Sequence, residues 1–330
     1  MSAQAQAGAR RPLRIRSLYD IPREELFISG HGLCAGCTAG TIMRMLTKVA
    51  GRDSIIVNAT GCVEVSTTRY PYSNWLVPWI HSAFENAGAT ASGIARALEV
   101  LQRKGVIPKD RKIRVIAVAG DGGTVDIGLQ SLSGMLERRD PVMYVLYDNE
   151  AYMNTGIQRS GATPFHAWTT TTPAGKVWRG EWRTKKDIAM IVAAHKIPYV
   201  ATANPAYPMD MINKFARGLE VLDEGPSFIH VLMACTTGWR FDPALGITIS
   251  RLATETGVFP LYEIDHGVFR VTFPIAKRKP VVEYLKLQGR FAHLTPQEIE
   301  EIQKLVDERV AEINKLAGKE VIGPVEYPKK

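Results

Sequence analysis

An apolar run from Ile113 to Ala119, broken only by Arg114, stops at Gly120-Asp121-Gly122-Gly123. A helical pattern follows (Ile127, Leu129, Leu132, Leu136), then a second apolar run from Val142 to Tyr147. Strand, glycine turn, helix, strand is one βαβ unit. Runs this apolar suit strands covered on both faces, which confines the chain to a parallel, helix-flanked sheet. In such sheets ligands sit beyond the carboxyl ends of the strands. Asp121 offers a carboxylate there, and Asn149, 28 positions on, offers an amide oxygen from the next strand end. Oxygens of this kind suit Mg²⁺, which takes its other ligands from phosphates and water. Glycines let backbone N–H groups approach those phosphates, and a helix N-terminus favours their charge.

The rest of the chain repeats the alternation. A helix is expected over Thr38–Val49 and a strand over Ser54–Asn58. A Pro- and Trp-rich loop then leads into a long helix, about Ala83–Arg103. Beyond the central unit, the polar residues 158 to 184 read as a long loop, and such loops serve as lids or partner contacts. Helices at Lys186–His195 and Pro208–Leu222 then alternate with strands at Tyr199–Ala203 and Ser227–Met233. The fold class expected is α/β, a doubly wound, mostly parallel sheet with a C-terminal helical extension. The boundaries read as a basic arm (1–24), a ligand-binding domain (25–242) and the extension (243–330). A hairpin-like stretch over Leu261–Val271 lies in that extension. Its last helix opens at Thr295-Pro296-Gln297-Glu298.

With 330 residues, 45% hydrophobic and 22% charged, the chain can bury a sizeable core. No apolar run is long enough to span a membrane, and the N-terminus lacks a signal-peptide core, so a cytoplasmic protein is expected. The net charge of +8 gathers partly at the ends, in Arg10, Arg11, Arg14, Arg16, Lys329 and Lys330. No nucleic-acid motif accompanies it, and an arm lying on a partner subunit is the plainer reading.

There are four cysteines: Cys34, Cys37, Cys62 and Cys235. Each falls in a loop or just past a strand end, where ligand atoms converge. One Cys-x-x-Cys plus two singles supplies a four-thiolate set. From the residues alone, structural zinc, an iron–sulfur cluster, a redox dithiol and unrelated core thiols all stay open.

Gly120-Asp121-Gly122 followed by Asn149 resembles the thiamine-diphosphate fingerprint. The sequel Tyr152-Met153-Asn154-Thr155-Gly156 with Gln158 narrows the likeness, as does the 25-position step from Cys37 to Cys62 with a distant Cys235. Together they resemble the thiamine-binding β subunit of the 2-oxoacid:ferredoxin oxidoreductases, most closely the pyruvate type. The likeness runs from Ser29 through Ala162-Thr163-Pro164, Lys185-Lys186-Asp187, Tyr284-Leu285 and Arg290-Phe291.

That resemblance implies thiamine diphosphate, Mg²⁺ held by Asp121, Asn149 and the Ala151 carbonyl, and a [4Fe–4S] cluster on Cys34, Cys37, Cys62 and Cys235. Gly120, Gly122, Gly123, Thr155 and Cys62 would line the coenzyme, Phe84 would pack on its aminopyrimidine, and Asn154 would serve the reacting carbon. It also implies an α subunit supplying the activating glutamate (Glu64 and Glu85 being the local candidates), with γ- and δ-type subunits, ferredoxin, coenzyme A and a 2-oxoacid. Branched-chain, aryl or oxalate substrates are the alternatives within the family, and a zinc-bearing structural subunit is the alternative outside it. Two departures stand out. Thr38-Ala39 replaces the Gly-Glu that many relatives carry after the Cys-x-x-Cys, and Ile157 stands where they often have glycine.

Overall fold

Eight strands form one sheet in a computed structural model that describes residues 15–327. The strands are β1 (Ser54–Ala59), β2 (Trp79–Ser82), β3 (Arg114–Gly120), β4 (Val142–Asp148), β5 (Tyr199–Ala203), β6 (Ser227–Leu232), β7 (Tyr262–Asp265) and β8 (Val268–Val271). Their spatial order is β2-β1-β3-β4-β6-β5-β7-β8. The first six run parallel, and β7 and β8 add an antiparallel hairpin on β5. Arg10, Arg11, Arg14, Lys329 and Lys330 of the expected basic ends lie outside the described residues.

Among the described residues ten α-helices accompany the sheet: α1 (Ala39–Ala50), α2 (Cys62–Thr67), α3 (Ala87–Arg103), α4 (Leu129–Glu137), α5 (Ile188–Ala193), α6 (Pro208–Glu220), α7 (Thr236–Trp239), α8 (Gly246–Glu255), α9 (Val282–Leu285) and α10 (Pro296–Leu316). Alternation along the strands sorts the core into two layers. Val115, Ala117, Ala119, Tyr144 and Leu146 face one cluster, which includes Ala91 of α3, Leu132 of α4 and Val306 of α10. Ile116, Val118, Met143, Val145 and Tyr147 face the other, with Ile42 and Leu46 of α1 and Phe215 of α6. Both faces are covered, which is why β3 and β4 carry almost no polar residues.

Several expectations shift in detail. The long helix begins at Ala87 rather than Ala83, and Trp79–Ser82, read as loop, is the edge strand β2. The helix after β3 opens as a π-turn over Gly122–Asp126, with Ile127 N–H donating to the Gly122 carbonyl, before α4 begins. Residues 158 to 184 hold no helix or strand beyond isolated bridges, yet they are anchored. Arg179 pairs with Glu298 at the start of α10 at 2.7 Å, and Glu298 forms a capping box with Thr295.

Candidate functional site

Parallel register brings the strand ends to one rim. Gly120 of β3 lies opposite Tyr147 of β4, and Asp148 opposite Leu232 of β6. Asn58 of β1 is level with Val118 of β3. The chain therefore leaves β1 into Gly61-Cys62, β3 into Asp121, β4 into Asn149 and β6 into Cys235, all on the same side of the sheet.

At the centre of that rim Asp121, Asn149 and Ala151 meet. The Asn149 side-chain oxygen faces an Asp121 carboxylate oxygen and the Ala151 carbonyl oxygen, each at 2.8 Å. Turned over, the amide donates its N–H group to both; with its oxygen toward them, the same three groups present oxygens to a cation. The spacing suits octahedral Mg²⁺, whose adjacent oxygens sit roughly 3 Å apart at the usual 2.0–2.1 Å bond length. Asp121 is 1% exposed. Burial, and next the nearby Asp148, push its carboxyl well above the ordinary range. A bound dication would reverse both effects.

The glycine turn is shaped by close neighbours. A Cβ on Gly122 would stand 2.5 Å from the Tyr152 ring, and one on Gly123 would stand 2.9 Å from the Phe84 carbonyl oxygen. Phe84, half-buried, lies in the turn before α3 with its ring 5.6 Å from that of Tyr152. Asn154 and Thr155 are exposed on the turn that carries the chain from Tyr152 back to Gln158. Thr155 is tied to Gln158 at 2.5 Å. Ile157 closes this turn at φ +65°, a left-handed conformation that disfavours β-branched residues. Glycine there, as relatives often have, would adopt it freely.

Sequence reasoning missed the support beneath this loop. Glu150, also left-handed at φ +69°, is 3% exposed and receives Lys185 at 2.8 Å and Arg290 at 2.6 Å. Asp148 receives Lys185 at 2.5 Å and His230 at 2.7 Å. Burial would raise Asp148, but Lys185 and then His230 overcome it and bring its carboxyl down to about 2. Thr163 donates to the Glu150 carbonyl at 2.8 Å, and the Ser160 hydroxyl donates to Asp121. Lys185, Arg290 and Thr163, noticed in the sequence as scattered points of likeness, thus converge on the Asn149–Ala151 bend.

The four cysteines converge as well. They lie close enough that a thiolate on any one would repel a thiolate on each of the others. Burial pushes the Cys37 and Cys62 thiols up to about 12 and raises Cys235 too. Asp121 also raises Cys62, so the two halves of the rim are in electrostatic contact. Gly36, at φ +73°, seats the Cys-x-x-Cys turn against Pro243, whose carbonyl oxygen would lie 2.2 Å from a Cβ there. Gly238 N–H donates to the Cys235 sulfur at 3.3 Å. Trp239, at the end of the same helix, donates its indole N–H to the Asn149 carbonyl at 2.8 Å.

Among the described residues no group of three or more His, Cys, Asp or Glu side chains is close enough to hold a single metal ion.

Ala39 is fully buried, so the position where many relatives have glutamate points into the core, while the buried Thr38 hydroxyl has no partner. Glu64, 15% exposed on α2, lies 3.9 Å from His81. His31 stacks on Phe27 beside the cysteine turn.

The profile of the thiamine pyrophosphate enzyme C-terminal TPP binding domain matches residues 59–231, from the end of β1 to β6. The chain belongs to the thiamine pyrophosphate enzyme family. Within that family it is 61% identical to the pyruvate synthase subunit PorB of Methanocaldococcus jannaschii, over 88% of this chain and 97% of that one. It is 48% identical to the PorB of Thermotoga maritima, over 90% and 94%. The ketoisovalerate oxidoreductase subunit VorB of Pyrococcus abyssi is 46% identical over 94% and 99%. Among solved structures, the 2-oxoglutarate:ferredoxin oxidoreductase of Magnetococcus marinus superposes with a TM-score of 0.50 at 20% identity. The match covers 71% of this chain and 79% of that one, and it speaks for the fold.

Proposed function

We infer that this chain is the thiamine-binding β subunit of a 2-oxoacid:ferredoxin oxidoreductase, with pyruvate as its substrate. The observation that carries the reading is the meeting of Asp121, the Asn149 amide and the Ala151 carbonyl at one strand-end rim, within electrostatic reach of Cys62. Their oxygens would hold Mg²⁺, and the backbone around Gly120, Gly122 and Gly123 would receive the diphosphate. Cys34, Cys37, Cys62 and Cys235 would hold a [4Fe–4S] cluster. When bound, thiamine diphosphate supplies carbanion stabilisation for decarboxylating a 2-oxoacid, and the cluster takes up electrons one at a time.

The chain's own residues orient, shield and polarise. Lys185, Arg290 and Thr163 fix the bend that presents Asn149 and Ala151. Phe84 and Tyr152 bracket the glycine turn and keep water from it. Asn154 and Thr155, exposed at the rim, would offer hydrogen bonds where charge develops on the substrate.

We assign the activating glutamate to an α subunit, as the family resemblance implies; of the local candidates Glu64 and Glu85, Glu64 is engaged with His81 and Thr68. Arg16 and the exposed Val177, Trp178 and Trp182 of the long loop are the surfaces we assign to partner subunits. Coenzyme A would accept the acyl group, γ- and δ-type subunits would complete the complex, and ferredoxin would take the electrons. The setting we assign is the cytoplasm; no helix among the described residues is long and apolar enough to cross a membrane.

Likeness to the VorB subunit favours a second reading, a branched-chain 2-oxoacid, with Ile157 beside the exposed Asn154 turn as the residue to probe. The test is an anaerobic assay of the complex with coenzyme A and ferredoxin, comparing pyruvate with 3-methyl-2-oxobutanoate. Preference for pyruvate, with thiamine, iron and sulfide in the complex, is expected. Preference for the branched acid would select the second reading, and thiamine-free turnover would defeat both.

A further inference from the structure

Tyr147 occupies the junction between the two halves of the rim, and nothing above gives it a task. It is 1% exposed at the end of β4, on the sheet face that packs against α1. From there its side chain crosses beneath β3 toward the turn after β1. The hydroxyl oxygen would lie 2.6 Å from a Cβ on Gly61 and 3.5 Å from one on Gly120. Two glycines, one before Cys62 and one before Asp121, therefore clear the space for a single phenol.

That hydroxyl is buried without a hydrogen-bond partner of normal geometry. The contrast with Tyr144 is instructive: one turn of the pleat earlier and on the opposite face, its hydroxyl is satisfied by Thr124 at 3.2 Å. A phenol left unpaired in a protein interior forfeits its hydration without replacement. A site that keeps one is missing an acceptor, and the groups that charge up around this hydroxyl are known. Burial raises it most; of its ionisable neighbours Cys62 comes first, then Asp121 and Glu64, while the Val63 backbone N–H beside the phenol oxygen works the other way and takes no proton from it. The Asp121 oxygens are taken by Ser160 and by the Asn149–Ala151 group. Cys62 has no hydrogen bond of its own among those of the described residues, whereas Cys235 receives one from Gly238.

We propose that Tyr147 donates a hydrogen bond to the Cys62 sulfur when that sulfur is an iron-bound thiolate, and so sets the reduction potential of the cluster on its thiamine-facing side. The proposal rests on the four-cysteine cluster of the preceding section. Its chemistry is electrostatic: a donor to a ligand sulfur stabilises the more negative, reduced cluster and raises its potential. The tyrosine itself stays protonated and un-oxidised throughout.

The test uses the full chain, purified anaerobically. Its cysteines number four, so any four-iron centre on it is this one. Iron, sulfide and a redox titration followed by electron paramagnetic resonance are measured for the wild type, Tyr147→Phe and Tyr144→Phe. Expected are four irons and four sulfides in all three, a lower midpoint potential in Tyr147→Phe, and an unmoved one in Tyr144→Phe.

Site-specific replacement of Tyr147 by difluorotyrosine, a stronger donor of nearly the same shape, should move the potential the other way. That arm also decides the matter if Tyr147→Phe fails to fold. Equal potentials in wild type and both Tyr147 variants would overturn the proposal, as would equal shifts in Tyr147→Phe and Tyr144→Phe. So would an unchanged potential accompanied by weakened thiamine diphosphate binding, which would hand the phenol to the coenzyme. A wild-type chain that binds no iron would instead overturn the cysteine assignment, and this inference with it.

Discussion

Burial first, and then the neighbouring Asp148, push the Asp121 carboxyl well above the ordinary range, so a bare carboxylate there, 1% exposed, is costly. Asp121→Asn removes that repulsion while keeping the shape. The metal-free variant should melt no lower than the wild type, yet bind thiamine diphosphate in Mg²⁺ at least tenfold more weakly, since a charged ligand is lost (about 1.4 kcal/mol per tenfold). Calorimetry of both quantities checks it; a variant that loses stability and keeps affinity would contradict the ligand role.

Arg290 gives the opposite pattern. It is 2% exposed, stacked 4.0 Å over Trp239 and paired with buried Glu150. Arg290→Met should cost about 3–5 kcal/mol in denaturant unfolding, the usual effect of stripping one member from a buried ion pair. Arg290→Met with Glu150→Gln should recover part of it. Asp121 and Asn149 could be picked from the sequence because 28 residues and a recognisable turn separate them. Arg290 could be noticed but not given a task, because its partner is 140 positions away and only the fold introduces them.

At the scale of elements, β1, β3, β4, β5, β6, α1 and α6 were legible because a buried parallel strand and an amphipathic helix impose periods on the chain. Strand β2 was not. Four residues long and flanked by Pro78 on one side, its half-exposed sequence WIHS has too few positions to show alternation. The π-turn over Gly122–Asp126 was hidden for another reason, since one extra residue per turn leaves no signature in composition. Gly122→Ala tests how tightly that turn is packed. With its new methyl driven toward the Tyr152 ring, it should lose about 1–3 kcal/mol of stability and most thiamine binding.

The long loop is tied to α10 through Glu298, whose carboxyl the Arg179 guanidinium holds at about 2. A lowered folded value means the stabilisation is whole at neutral pH, starts to fade near the free glutamate range, and is gone only once the pH has fallen through about 2. Glu298→Gln keeps the helix cap but not the ion pair. It should cost about 0.5–1 kcal/mol at pH 7 and progressively less as the pH falls toward 2, as read by acid-titrated unfolding of both proteins.

For the whole molecule, the arrangement is one sheet with its cysteines and with Asp121, Asn149 and Ala151 on a single rim. The class and the approximate elements were readable, as was the family likeness. The closure of the N-terminal cysteine turn by Pro243 was not, because a contact through one glycine carries no pattern. Cys235→Ser should leave the fold standing, since a serine can keep the α7 cap, while iron content falls below four per chain by elemental analysis.

The same seating of Gly36 on Pro243 bears on how the molecule is made. Cys34 emerges from the ribosome long before Thr237, its contact 203 positions downstream. At ~5–20 residues per second, roughly 10–40 s pass between them. Through that interval the first pair of thiols has neither its backstop nor its fourth companion. If the four cysteines take up a cluster as proposed, a nascent chain that ends before Cys235 offers only a partial nest, and products truncated there should emerge iron-poor.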